Sequence, residues 1–230
     1  MNISLRPLSF ALVVLLATAC TPASETPPPA SQTEASAASA AEPGMRAPVD
    51  QFLSALARHC GQAYAGRIVA NEPKPTTPDA FEGKPLVMHV RGCDDPANEL
   101  RIPFHVGDDH SRTWVLTRTP DALLRLKHDH RHADGSPDTL TMYGGQSVEA
   151  GTPDRQAFPV DQESVELFER EGLNASVTNT WAMEIEPDRY FRYELSRPGG
   201  RLFKVEFDLS QPVPLPPAPW GAEAAVPAGS

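Results

Sequence analysis

Residues 99–118 read ELRIPFHVGDDHSRTWVLTR. Leu100, Ile102, Phe104 and Val106 alternate with Glu99, Arg101, Pro103 and His105. A short polar turn, GDDH, follows, and an apolar run resumes at RTWVLTR (112–118). Period-two alternation puts every second side chain in a core and its neighbours in water. That is the mark of antiparallel strands with one wet face, and a polar four-residue turn suits a hairpin between them. The same pattern governs RLFKVEFDLS (201–210), where Phe203, Val205, Phe207 and Leu209 share a face.

Working outward, comparable strands are expected at 63–70, 85–93, 123–131, 139–148, 180–186 and 189–197. They are joined by turn sequences such as TPDA, HADGSPD, EPDR and RPGG. About nine strands in a meander would leave two exposed edges, and closure into an up-and-down antiparallel barrel removes them. Two helices interrupt the β pattern. PVDQFLSALARHCG (48–61) sets Phe52, Leu53, Leu56 and Ala57 on one face and stops at Gly61. VDQESVELFERE (160–171) reads as a short helix capped by Asp161. The expected class is therefore all-β, with an N-terminal helix and a second short helix near 160–171.

The flanks differ in composition. MNISLRPLSFALVVLLATAC has one charge, Arg6, ahead of an apolar run too short to span a bilayer, which takes roughly 20 apolar residues. Ala17-Thr18-Ala19-Cys20 resembles a bacterial lipobox, with alanine where leucine is commoner. The resemblance implies a signal peptide over 1–19, lipidation (a palmitate-type acyl anchor) on Cys20, and, with threonine at 21, a place on the outer membrane facing the periplasm. Ordinary cleavage after Ala19, leaving a free cysteine, is the alternative. Residues 20–48 read as a small, polar, proline-rich disordered tether, and 211–230 as a proline-rich tail in which Trp220 could anchor the segment to the domain. The span 49–210 is one domain's worth of chain. The whole chain's formal charge of −10 makes it a poor partner for nucleic acid. It reads as a monomer. With Cys20 set aside, Cys60 and Cys93 form an even pair, and an oxidising compartment makes a disulfide between them the default.

A short helix leading into AYAGRIV (63–69) and then a meander resembles the lipocalin and fatty-acid-binding-protein group of barrels. Two departures stand out: Tyr64-Ala65-Gly66 occupies the place of that group's Gly-x-Trp signature, and its helix before the last strand is not reproduced. SRTW, KHDHRH and TMYGG are similar to phrases in a group of exported bacterial lipoproteins, a likeness that brings no function with it. The barrel resemblance implies an interior ligand and an open mouth.

Strand parity places Cys60 and Cys93 at one end of such a barrel, with the first helix as a plug. The turns at 71–84, 107–111, 132–138 and 186–189 are expected at the other end, the mouth. In LKHDHRHADG (126–135), His128 and His130 continue the inward set of Leu124 and Leu126 toward that mouth, while His132 lies in the turn. His105 should face outward. His110, Trp114, His128, His130, Met142 and Trp181 are the candidate ligand-binding residues, with Phe104 also in the lining. His128 and His130 could instead hold a divalent metal, since residues i and i+2 on a strand lie about 6.5–7 Å apart. A third ligand, His110 or Glu194, would be needed. Hydrogen bonding of the histidines to Glu194 or Tyr193 is the structural alternative, and a filled core uses the same aromatic residues. The nucleophile elbow GxSxG, GxGxxG and the P-loop are missing from the sequence. The leading expectation is a non-catalytic, membrane-anchored periplasmic lipoprotein that binds a small or apolar ligand. A metal-dependent enzyme built on His128 and His130, and a structural envelope assembly factor with a filled barrel, are the alternatives.

Overall fold

A computed structural model describes residues 46–76 and 79–222. The expected signal peptide, Cys20 and nearly all of the tether lie outside the described residues. Helix α1 (Pro48–Ala57) comes first. Strands β1 (Ala63–Glu72), β2 (Leu86–His89), β3 (Glu99–Val106), β4 (Asp109–Arg118), β5 (Leu124–His130) and β6 (Tyr143–Gln146) follow in a meander. Next come β7 (Arg155–Pro159), helix α2 (Gln162–Arg170), a 3-10 turn (Asn174–Thr178), β8 (Thr180–Glu186), β9 (Tyr190–Arg197) and β10 (Arg201–Val213). All the pairings are antiparallel, in the order β6-β5-β4-β3-β2-β1-β10-β9-β8-β7. The last strand thus pairs with the first, and the protein is an up-and-down barrel, nearly closed.

The tenth strand is β7, RQAFP, absent from the sequence-based count. It matters beyond the number. In a meander whose neighbours are all antiparallel, an odd count would bring the first and last strands together parallel, so closure needs an even count. The missing strand also inverts the end assigned to every later turn. The turn at 187–189 lies at the cysteine end rather than the mouth, as the Arg58–Asp188 ion pair shows by tying it to the end of α1. The β9–β10 turn at 198–200 takes its place at the mouth.

β6 and β7 meet at a seam held by little ladder pairing. One bridge joins Gly145 to Val160, and the Asp161 amide donates to the Gly144 carbonyl. Gly144-Gly145 makes this contact possible. A Cβ on Gly144 would lie 1.9 Å from the Leu126 carbonyl oxygen, and one on Gly145 would lie 2.1 Å from that of Pro159. Helix α2 seals the seam. Asp161 caps it by accepting from the Ser164 amide, the Ser164 hydroxyl accepts from the Gly144 amide, and Phe168 packs on Tyr143. Lys127, on the outer side of β5 and buried, is paired with Asp161 at 2.9 Å and Glu163 at 2.7 Å. Two carboxylates offset the desolvation of one ammonium, and they fix the helix start on the barrel.

The barrel is filled at its centre. Trp114 stacks on Phe104 (4.9 Å, 17°) and on Tyr193 (4.5 Å, 20°), and Phe104 meets Phe207 edge to face. At one end α1 buries Val49, Phe52, Leu53 and Leu56 as a plug. Asp50 pairs with Arg118 at the end of β4. Cys60 and Cys93 form a disulfide, Cα atoms 6.2 Å apart, tying the end of α1 to the end of β2.

Loss of this bridge should cost roughly 2–4 kcal/mol, because it closes a long loop in the unfolded chain. Urea unfolding of Cys60→Ser/Cys93→Ser against wild type measures it, and unchanged stability would show that the plug needs no staple. Gly144→Ala should lower the melting temperature more than Gly61→Ala, whose Cβ would meet nothing within 4 Å although its φ is +79°.

Candidate functional site

β5 carries the site. Its register sets Leu126 opposite Leu116 and His128 opposite Trp114 on β4, and His128 opposite Tyr143 on β6. Alternation therefore brings the His128 imidazole inside, 4 % exposed. It stacks on the Tyr143 ring (4.8 Å, 13°) with Trp181 5.2 Å away. Its Nε2 is 2.8 Å from the Tyr193 hydroxyl, and its Nδ1 is 3.2 Å from the Tyr143 carbonyl oxygen. A carbonyl only accepts, so Nδ1 holds the proton and Nε2 accepts from Tyr193. The ring is neutral: burial, then the neighbouring His130, push its pKa down to about 3. Burial likewise drives the Tyr193 phenol well above its ordinary range.

His130, two residues nearer the mouth, sets Nε2 3.3 Å from the Tyr143 hydroxyl, a long contact. Burial, then the Arg112 guanidinium, lower its pKa to about 4. Above these groups opens a cavity of about 370 Å³. His130, Tyr143, Phe168, Trp181, Tyr193 and Phe203 wall it, and Asp138, Arg197 and Arg201 stand on its rim. Aromatic walls with a few polar groups at one side are the usual make-up of a small-molecule site.

Of the expected site residues, His128, His130 and Trp181 come together here. Trp114 lies beneath, as part of the floor under Tyr193. His110 does not join them. A bulge sets His110 and Ser111 on β4 against His105 alone on β3, so the alternation slips and His110 turns to the outer side. Met142 is not in the lining either. It has a left-handed φ of 55° and is 42 % exposed, because β6 begins one residue later and Tyr143 takes the inward place. Glu194 faces outward, in ion pairs with Arg155 and Lys204, so of the two expected histidine partners only Tyr193 serves. His132 is in the turn and exposed. Both nitrogens of His128 are engaged, and among the described residues no three His, Cys, Asp or Glu side chains cluster to hold a metal ion. Tyr143 and Phe168 went unread. The sequence signal for Tyr143 was its neighbour Gly144-Gly145, which fixes where the strand can pass.

A second histidine group sits on the opposite side of the wall. His105 faces outward as expected, yet it is 2 % exposed. Its Nδ1 is 2.7 Å from Nδ1 of His110, and the His110 carbonyl accepts from the Trp220 amide. Beyond β10 the tail, through Pro219 and Trp220, runs over β2–β5 and leaves beneath it a groove of about 990 Å³ flanked by His89, Arg91 and Arg131. Burial, with His110 and His89 close by, lowers the His105 pKa to about 4.

The fold and site together define an aromatic-mouthed up-and-down barrel. No protein-family model, curated protein or solved structure matches the chain.

Two outcomes test this geometry. Tyr193→Phe leaves the buried Nε2 of His128 without a donor and should cost about 1–3 kcal/mol in denaturant unfolding; a neutral result would mean water replaces the hydroxyl. The buried histidines also make the fold acid-labile. His59, His89, His105, His128 and His130 all have lowered folded-state pKa values. Their contribution is intact above the unfolded value of 6.5 and is lost as pH falls from there toward about 3, since the unfolded chain takes up protons first. Urea midpoints should fall between pH 7.5 and pH 5; equal midpoints would show that these imidazoles are not held neutral.

Proposed function

We propose that the protein is an outer-membrane lipoprotein, anchored through Cys20 and facing the periplasm, whose barrel mouth binds a small or apolar ligand without chemistry. The observation that carries the ligand reading is the mouth itself. Its aromatic wall is concave and its polar groups are few. The neutral His128, locked between Tyr143 and Tyr193, holds the floor rigid, so little ordering is left to the ligand. The lipobox-like Ala17-Thr18-Ala19-Cys20 supports the address, and the Cys60–Cys93 bond is in keeping with an oxidising compartment. The resemblance to lipocalin-type barrels is consistent with a ligand at the open end. The reading differs from that resemblance in depth, because the packed Trp114 floor leaves the mouth and not the whole interior. That packed centre is also the observation favouring an envelope assembly factor that works through its outer faces.

Two measurements decide. Native mass spectrometry of the full chain from its own cells should show a small-molecule adduct, lost in Leu173→Trp, which fills the entrance. An adduct-free wild type would favour the filled, structural reading. Cys20→Ser should move the protein from the membrane pellet to the soluble fraction; continued pelleting would remove the lipid anchor.

A further inference from the structure

The hairpin that forms one side of the mouth contains an electrostatic conflict. Arg197 ends β9, Arg201 begins β10, and the two are direct cross-strand partners. They share the inward parity of Leu195 and Phe203, and both line the mouth. Like charges set directly opposite each other are destabilising in a sheet. The same two strands avoid this elsewhere: Lys204 opposes Glu194 and Glu206 opposes Arg192, each an ion pair.

Among the described residues the side chains and carbonyl that the arginines reach are neutral. Arg197 Nε donates to Asn179 Oδ1 at 2.6 Å, and Arg201 Nη1 donates to Asn71 Oδ1 at 2.7 Å and to the Glu72 carbonyl at 3.3 Å. These neutral acceptors aim the guanidinium groups but do not balance them. Among the described residues neither has a carboxylate within ion-pair distance. Asp138, the carboxylate in the lining, sits near His130, whose pKa it raises. Burial, then the charge of Arg201, lower the Arg197 pKa. Arg201 also lies over the Phe203 ring, 5.7 Å from its centroid, so the positive charge borders the aromatic wall.

We propose that the mouth takes a small aromatic anion, its ring among Tyr143, Phe168, Trp181 and Phe203 and its carboxylate, sulfonate or phosphate on Arg197 and Arg201. This rests on the reading of the mouth as a ligand site and names the ligand's class. The filled floor sets the size. Trp114, Phe104 and Phe207 occupy the barrel centre, so a long acyl chain has no channel to enter, whereas a one- or two-ring molecule matches the cavity. Paired guanidinium groups suit an oxyanion because they offer parallel donors in a fixed fork.

The test uses two fluorescent probes with one ring system on the full chain: 8-anilinonaphthalene-1-sulfonate and its uncharged parent, N-phenyl-1-naphthylamine. Wild type should bind the sulfonate about tenfold or more tighter than the parent, with the preference shrinking as salt rises. Arg201→Glu, which sets opposite charges across the hairpin and so keeps it paired, should abolish the preference, read as the ratio of the two probes' affinities. Arg197→Gln should reduce it in part. Equal binding of both probes, or a preference that survives Arg201→Glu, overturns the anion site while leaving an apolar mouth site standing. Failure of both probes to bind overturns the anion site and the ligand reading together.

Discussion

Closure of the sheet is the constraint on which everything else depends. β1 and β10, the two ends of the strand sequence, pair from Ala63↔Val213 to Glu72↔Leu202. That pairing curls ten strands around one interior and leaves the remaining mismatch at β6 and β7. A ladder cannot be completed there with ordinary residues, because the backbones come too close. Two glycines, a helix start and a buried lysine take over from strand pairing. The seam is therefore built from side-chain hydrogen bonds and charge, and α2 exists where it does in order to cover it.

The interior follows from closure. A barrel of this size has room for side chains and little else, and stacked Phe104, Trp114 and Tyr193 fill the middle. One end is plugged by α1 and stapled by Cys60–Cys93. The other end keeps the space that the stack does not reach, roofed in part by Phe168 of α2. The mouth is thus a by-product of where packing stops, and its floor is rigid because His128 has a partner for each nitrogen. Buried imidazoles held neutral in this way tie the fold to pH above their ordinary titration range.

The outer faces divide by charge. Across β7–β10 and β1, Arg155, Glu184, Arg192, Glu194, Lys204, Glu206 and Arg67 form a linked set of ion pairs. Across β2–β5 a histidine group lies beneath the C-terminal segment, beside shorter ion pairs such as Arg131–Asp129. Trp220 holds that segment through a backbone hydrogen bond to His110 and an edge-to-face contact with its ring. The segment hides His105 from water although the strand presents it outward.

Periodicity is local: period two was enough for the strands of the meander and the sidedness of His128 and Trp181, and helical spacing with the Asp161 cap was enough for the two helices. The cysteine pairing was legible too, since setting Cys20 aside leaves Cys60 and Cys93 as the one pair, and strand parity permits it. β7 was not legible: RQAFP is five residues long, alternates only through Gln156 and Phe158, and earns its strand by pairing with β8. Missing it carried the 186–189 turn to the wrong end. His110 and Met142 were misplaced for a related reason. A bulge and a left-handed residue each shift alternation by one, and neither is dictated by the residues themselves. They arise from how two strands must fit once both are in the sheet. Local sequence thus determined nine of the ten strands and which of their sides are apolar. The tertiary structure alone decided how many strands close the ring and which side chains meet at its mouth, because those depend on register between segments distant in the chain.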